Sequence, residues 1–435
     1  MNKMEIPLEK EALEEVCFGM MLAELAITDG KKDTVRKIAK INPWHLEAMK
    51  LITGTEEQAH KPLRTILKED MEGLVLDCEL DISGMTKSGH FLDTQGYIAH
   101  NDETIVVAFR CTTSAFDWMT NFNTTSSVWE IEKDLAAGNS GFCSGFEGLC
   151  CAGGTYKPRV HTGFYNNLLA ALPTIKQHVD PLLSNEERPR KLFVVGHSLG
   201  AGIATLAGCY FINEYNWNEL PQRLVIVTAG SPRACCESMK EIVDQKRNDF
   251  GDKCRVYRVV KGNDVVTCVP PKLFGFCHLI DPIKITDAGQ IVVRTNQEDP
   301  DADLLELTKY RVSCDQTGHR DQIVDDDSVG NEPTSDTKSK YDRLVARIPK
   351  SLRDHMPDFY LRPMLTGLGI RWGSTRAELA PGRSLSVAID DEDTKAKPHV
   401  KEVDKHEGAI KKTRSWIPKA FRSKKTVPVP EQLYF

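Results

Sequence analysis

Apolar residues recur with two different periods along this chain. Tyr97-Ile98-Ala99-His100 and Thr104-Ile105-Val106-Val107-Ala108-Phe109, separated by the polar Asn101-Asp102-Glu103, predict a β-hairpin. From Phe164 the period becomes helical, with Leu168, Leu169 and Leu172 on one side before Pro173. Leu192-Phe193-Val194-Val195 is a short continuous apolar run, followed by Gly196-His197-Ser198-Leu199-Gly200 and then by Ala201, Ala204, Leu206 and Ala207 at helical spacing. Further apolar runs lie at Leu224 to Val227 and Val256 to Val260. Runs apolar on both faces and alternating with helical segments predict an α/β fold, a mostly parallel central sheet flanked by helices.

The pattern is weaker on either side. Residues 1–80 read as a helical, charged N-terminal extension, with Leu13, Val16, Cys17, Met20 and Met21 on one face of its first helix. Residues 113–158 are irregular and rich in Ser, Gly and Cys; a loop of that length inside a domain predicts a functional element such as a lid. Phe116, Trp118, Met119 and Phe122 would form either its apolar face or part of the core. The main domain is expected over 81–370, interrupted by an acidic, exposed insertion at about 296–342, with a flexible tail over 371–435.

Composition narrows the function classes. The chain has 435 residues, 40% hydrophobic and 27% charged, so a large core is available. A net charge of -6 gives no overall attraction to nucleic acid, and none is expected as a partner. Locally, residues 409–425 carry seven Lys or Arg and no acid, interleaved with Ile410, Trp416, Ile417 and Phe421, which suits peripheral contact with an anionic membrane. No apolar run is long enough to span a bilayer, and the N-terminus has no export pattern. The expected location is therefore the cytoplasm, including the surfaces of membranes or lipid droplets. The 13 cysteines include no Cys-x-x-Cys pair, so reduced thiols are expected and no metal. Oligomeric state is not encoded in any pattern found.

The candidate chemistry starts at Ser198. A nucleophilic serine on a sheet of this kind needs a sharp strand-to-helix turn, and glycines two residues away on each side relieve the crowding that the turn creates. Gly196 and Gly200 hold those positions, between an apolar strand and a small-residue helix. The turn also puts the N–H of Leu199 at the helix start, aimed at a developing oxyanion. The alternative is a tight turn with an inert Ser.

Several motifs in order make the chain similar to the class 3 lipases, the fungal-lipase-like family of α/β-hydrolases: GYIA and IVVAFRCT, VHTGFY at 160–165, VVGHSLGAGIATL at 194–206, TAGSPR at 228–233, VVKGNDVVTCVPP at 259–271 and FGFCHLI at 274–280. The resemblance implies hydrolysis of acylglycerols and related lipid esters without a cofactor, through Ser, His and Asp. Asp264, just past the run Val256 to Val260, matches the family's catalytic acid; Asp281 and Asp287 are weaker candidates. For the base, His278 matches a structural His of the family, and His399 and His406 lie in the polar tail. His319 has suitable spacing but lies in polar chain, whereas His355 sits in Asp354-His355-x-x-x-x-Tyr360, similar to the family's segment where the catalytic His opens a docked helix. A base must be held rigidly, which favours His355 over His319. Thr112 matches the second oxyanion donor, with Cys111 where the family has Gly, which narrows the backbone angles available there. Phospholipase A or thioesterase activity, or lipid binding without catalysis, stays open on the same fold.

Overall fold

The apolar runs of the sequence become the middle of a sheet. In the computed structural model, residues 5–7, 9–27, 43–85, 91–111, 125–131, 157–285, 291–294, 348 and 350–367 are described. Their strands are β1 (Glu5–Pro7), β2 (Val75–Met85), β3 (Phe91–His100), β4 (Thr104–Phe109), β5 (Ser126–Val128), β6 (Arg159–His161), β7 (Lys191–His197), β8 (Arg223–Ala229), β9 (Cys254–Lys261), β10 (Pro282–Ile285) and β11 (Ile291–Arg294). The helices are α1 (Lys10–Leu25), α2 (Pro43–Thr53), α3 (Glu56–Ala59), α4 (Leu63–Glu69), α5 (Thr162–Leu183), α6 (Leu199–Glu214), α7 (Glu237–Phe250), α8 (Lys350–Arg353) and α9 (Pro357–Gly367). Thr112, the expected lid residues Phe116, Trp118, Met119 and Phe122, the segment 296–342 with His319, and the tail 371–435 with its basic stretch 409–425 lie outside the described residues.

Among the described residues nine strands form one sheet in the order β1-β11-β10-β9-β8-β7-β4-β3-β2. Its five central strands, β4, β7, β8, β9 and β10, run parallel, and antiparallel strands flank them on both sides. The expected hairpin is β3 and β4, with His100 opposite Ile105. The Asn101 side chain closes its turn by accepting from the N–H groups of Glu103 and Thr104. Every residue of β4 is buried, as a strand covered on both faces requires. Alternation then sorts the two layers. Leu192 and Val194 of β7 join the core built by α5 and α6, while Phe193 points to the opposite face and meets Phe18 of α1 edge-on, 5.4 Å between ring centres.

Helix α1 is fastened to the sheet as well as packed on it. Glu15, 4% exposed, accepts from Lys191 at 2.7 Å, Tyr257 at 3.0 Å and Arg255 at 3.2 Å, one partner from β7 and two from β9. A buried carboxylate stripped of such partners costs several kcal/mol, so this cluster fixes the register of α1 on the strands. Within residues 1–80 the described chain contributes helices, the edge strand β1 and the start of β2, and α1 lies along β7 and against β8, from Glu15 at Lys191 to Glu24 at His197. The last described helix, α9, packs against α2 and α1. No helix among the described residues is long and apolar enough to cross a membrane.

Candidate active site

Ser198 stands at the junction of β7 and α6 with φ 58° and ψ -124°. That backbone is strained for a residue with a side chain; among the described non-glycine residues only Glu72 shares a positive φ. The neighbours explain why the flanking glycines are needed. A Cβ on Gly196 would stand 2.3 Å from the Gly200 carbonyl oxygen, and one on Gly200 would stand 2.3 Å from the carbonyl oxygen of Phe109. Both obstructions are backbone and cannot swing aside. The Ser198 N–H donates to Ala229 at 3.0 Å, and its carbonyl receives the N–H groups of Ala201 and Gly202, which starts α6. Leu199 is the first residue of that helix, where an N–H has no acceptor within the helix.

Asp264 follows β9 at the same edge of the sheet and is 1% exposed. Its Oδ1 accepts from the N–H of Val266 at 2.9 Å, and its Oδ2 accepts from the hydroxyl of Tyr360 at 2.5 Å. His355, between α8 and α9, is 2% exposed. Its Nδ1 lies 2.8 Å from Asp264 Oδ2, and its Nε2 lies 2.8 Å from Ser198 Oγ. The three side chains expected from sequence therefore form one continuous chain of contacts. Asp354 holds the adjoining turn, accepting the N–H of Asn263 at 2.9 Å and Lys350 Nζ at 3.1 Å.

Gly230, at the end of β8, makes room for this arrangement. It has φ +56°, and a Cβ there would lie 2.8 Å from Asp264 Oδ2 and 2.9 Å from His355 Nδ1. Gly230→Ala is expected to leave the sheet folded but displace the imidazole, lowering kcat on a soluble ester by about a hundredfold, the usual consequence of a misplacement near 1 Å. Steady-state kinetics beside a thermal melt check it; kcat within about threefold of wild type would show that the ring tolerates the methyl group.

The other sequence candidates are placed as follows. His278 donates from Nε2 to the Thr267 carbonyl at 2.8 Å, and Thr267 Oγ1 donates to the Asp264 carbonyl at 2.8 Å, so His278 braces the loop after Asp264. Burial next to Arg258 and Arg233 keeps its pKa well below the usual range, and it is a neutral brace. Asp281 lies near Arg258; Asp287, His399 and His406 are outside the described residues. Cys111 is buried beside His45, 3.8 Å from its Nε2, and its φ is outside the left-handed region, so the thiol in place of Gly imposes no backbone strain.

Sequence patterns missed a second layer. Tyr360 counts as one more apolar residue of α9, yet its hydroxyl joins His355 as a donor to Asp264 Oδ2; its place in Asp-His-x-x-x-x-Tyr was the available signal. His197 stacks beneath His355, with ring centres 4.9 Å apart. Glu24 of α1 and His45 of α2, 2% and 4% exposed, adjoin that stack. Burial, with Arg110 and His355 nearby, pushes His45 down to about 3, so it too is neutral.

With the geometry in hand, the chain can be compared with known proteins. Residues 106–274 match the family described as Lipase (class 3). This stretch is similar to class 3 lipases. It contains Ser198 and Asp264 and ends before His355, while Glu24 and His45 precede it. The chain is 31% identical over 175 residues to secreted mono- and diacylglycerol lipase 1 of Fusarium solani, covering 40% of this chain and 41% of that protein. It is 26% identical over 225 residues to secreted mono- and diacylglycerol lipase A of Penicillium cyclopium, covering 50% and 62%. A chloroplastic phospholipase A(1) of Arabidopsis thaliana is 25% identical over 171 residues, covering 38% and 33%. The chain thus spans less than two thirds of each of these relatives. The site draws on helices to both sides of the matched stretch.

Proposed function

We propose that this protein is a serine hydrolase of lipid carboxylic esters, with Ser198 as nucleophile, His355 as base and Asp264 as the acid that orients it. The observation that carries the proposal is the Ser198–His355–Asp264 chain, two contacts of 2.8 Å ending on a serine at a strained strand–helix turn. Oγ attacks the ester carbonyl carbon while His355 Nε2 takes its proton. The tetrahedral oxyanion is held by the Leu199 N–H at the start of α6 and, by resemblance, by Thr112. Collapse breaks the bond to the alcohol, which leaves with the proton returned by His355. Water, deprotonated by the same imidazole, then releases the fatty acid and restores Ser198. Asp264 accepts from Nδ1–H throughout and stabilises the imidazolium without taking its proton.

Acylglycerols are the first reading of the substrate, favoured by the mono- and diacylglycerol lipases among the relatives. A glycerophospholipid is the second, favoured by the phospholipase A(1). Both readings need the same ester chemistry. Peripheral contact with an anionic membrane through 409–425 belongs to the same proposal and is supported by composition.

The test is covalent. A fluorophosphonate probe is expected to label the protein once, on the peptide containing Ser198, and to block hydrolysis of a diacylglycerol emulsion and of a soluble short-chain ester in parallel. Labelling elsewhere, or hydrolysis that survives full labelling, would refute the assignment. A panel of acylglycerols and phospholipids then separates the two substrate readings.

A further inference from the structure

Glu24 is an acid for which the reaction above has no use. It lies near the end of α1, 2% exposed, and neither of its oxygens has a well-formed hydrogen bond to a described residue. Its Oε1 is 3.3 Å from Nδ1 of His197. His197 stacks on His355 at 4.9 Å with the rings 28° apart, so one buried carboxyl group is linked through one buried imidazole to the base.

The groups that face this pair agree on its protonation. Burial raises the Glu24 carboxyl well above its usual range, and Asp358 of α9 raises it further. Burial lowers His197 well below its usual range, against an opposing contact with the His355 backbone. His45 itself is kept neutral, and the thiol of Cys111 beside it is pushed up by burial and by Glu24. Among the described residues, the influences on Glu24 are burial and Asp358, and neither stabilises a carboxylate there. Neutral acid and neutral imidazole remain, with the carboxyl O–H as donor and Nδ1 of His197 as acceptor.

We propose that Glu24 is a positioning residue for the hydrolase reaction: it donates its proton to Nδ1 of His197, and so fixes the tautomer of the uncharged ring beneath His355. The inference rests on His355 being the base. When His355 takes the Ser198 proton it becomes a cation 4.9 Å above His197. A neutral ring below leaves that step unopposed. A protonated one would slow it by on the order of a hundredfold, taking an effective dielectric near 20. Helix α1 thereby supplies something the matched lipase stretch lacks.

Glu24→Gln and Glu24→Met keep nearly the same volume and differ in whether a donor remains. Glu24→Gln is expected to keep kcat/KM on a soluble ester within about threefold of wild type, with the acid limb of its pH profile unmoved. In Glu24→Met, burial still keeps His197 uncharged but its tautomer is no longer held; kcat on a soluble ester is expected to fall by about tenfold while KM changes by less than about twofold. A packing role alone would lower the thermal midpoint of Glu24→Met and leave kcat in place. Histidine nitrogen NMR gives a readout independent of turnover. His197 is expected to stay neutral with its proton on Nε2 from about pH 5 to about pH 8 in wild type and Glu24→Gln, and to populate both tautomers in Glu24→Met. An unchanged kcat in Glu24→Met, a Glu24→Gln as impaired as Glu24→Met, or a wild-type His197 that is cationic or carries its proton on Nδ1 would each overturn the proposal. If Glu24→Met does not fold, the wild-type and Glu24→Gln spectra still decide it. A wild-type protein that turns over no ester, yet shows the neutral His197, would refute the hydrolase reading and leave the Glu24–His197 pair standing.

Discussion

His355→Ala is expected to lower kcat on a soluble ester by about five to six orders of magnitude, with KM little changed. The Ser198 hydroxyl is a weak nucleophile unless its proton has somewhere to go, and the acceptor 2.8 Å away is the imidazole Nε2. Asp264 cannot take over, because its carboxylate reaches Ser198 only through that ring. Ser198→Ala should be equally damaging, and the double variant no worse than either, since groups that act as a unit are lost as a unit. The oxyanion donors and the binding surface remain, so residual activity should still exceed that of the reaction in water. Fluorophosphonate labelling needs the same proton removed and should slow in proportion. Because His355 is 2% exposed, its loss opens a cavity, and His355→Gln with a thermal melt separates lost chemistry from lost folding. A His355→Ala protein within tenfold of wild type would move the base elsewhere, with His319 the next candidate.

What could be read from the sequence follows from how far apart the cooperating residues are. The sheet was legible because β4, β7 and β8 are buried on both faces, and a strand of that kind must be apolar throughout. Ser198 was legible because its turn constrains residues only two positions away, at Gly196 and Gly200. His355 was harder: it meets Ser198 across 157 positions, and no local period records such a contact. The choice against His319 came from a requirement, that a base sit on docked chain, and α9 does pack on α1 and α2.

Glu24 was not legible at all. An acid in a helix that also carries Glu11 and Glu14 reads as part of a solvated face. Its burial depends on α1 lying flat on β7 and β8, which the Glu15 cluster enforces from the other side of the same helix. Tyr360 was hidden differently. Its ring belongs to the apolar stripe of α9, and only the three-dimensional arrangement shows the hydroxyl at Asp264. In both cases the group that matters is a polar atom on a residue that sequence periodicity sorts by its bulk.

Asp264→Asn should lower kcat by about four orders of magnitude, and the hydrogen bonds around the carboxylate say why. Oδ1 accepts the Val266 N–H at 2.9 Å, so in the variant that position must remain an oxygen; an amide nitrogen there would face another donor in a site 1% exposed. The new NH2 therefore falls at the Oδ2 position, 2.8 Å from His355 Nδ1. Being a donor, it selects the imidazole tautomer whose proton is on Nε2. That proton then points at Ser198 Oγ, and the ring donates where it should accept. The geometry survives and the chemistry does not, which is the signature of a tautomer error. Tyr360→Phe makes the contrasting case: it removes one donor to Oδ2 but leaves the His355 contact and its tautomer intact, so its loss should stay within about tenfold. Rates for the two variants on one soluble ester, with nitrogen NMR reporting the His355 tautomer, check both. If Asp264→Asn and Tyr360→Phe are impaired alike, Asp264 contributes general support for the loop and not the orientation of His355.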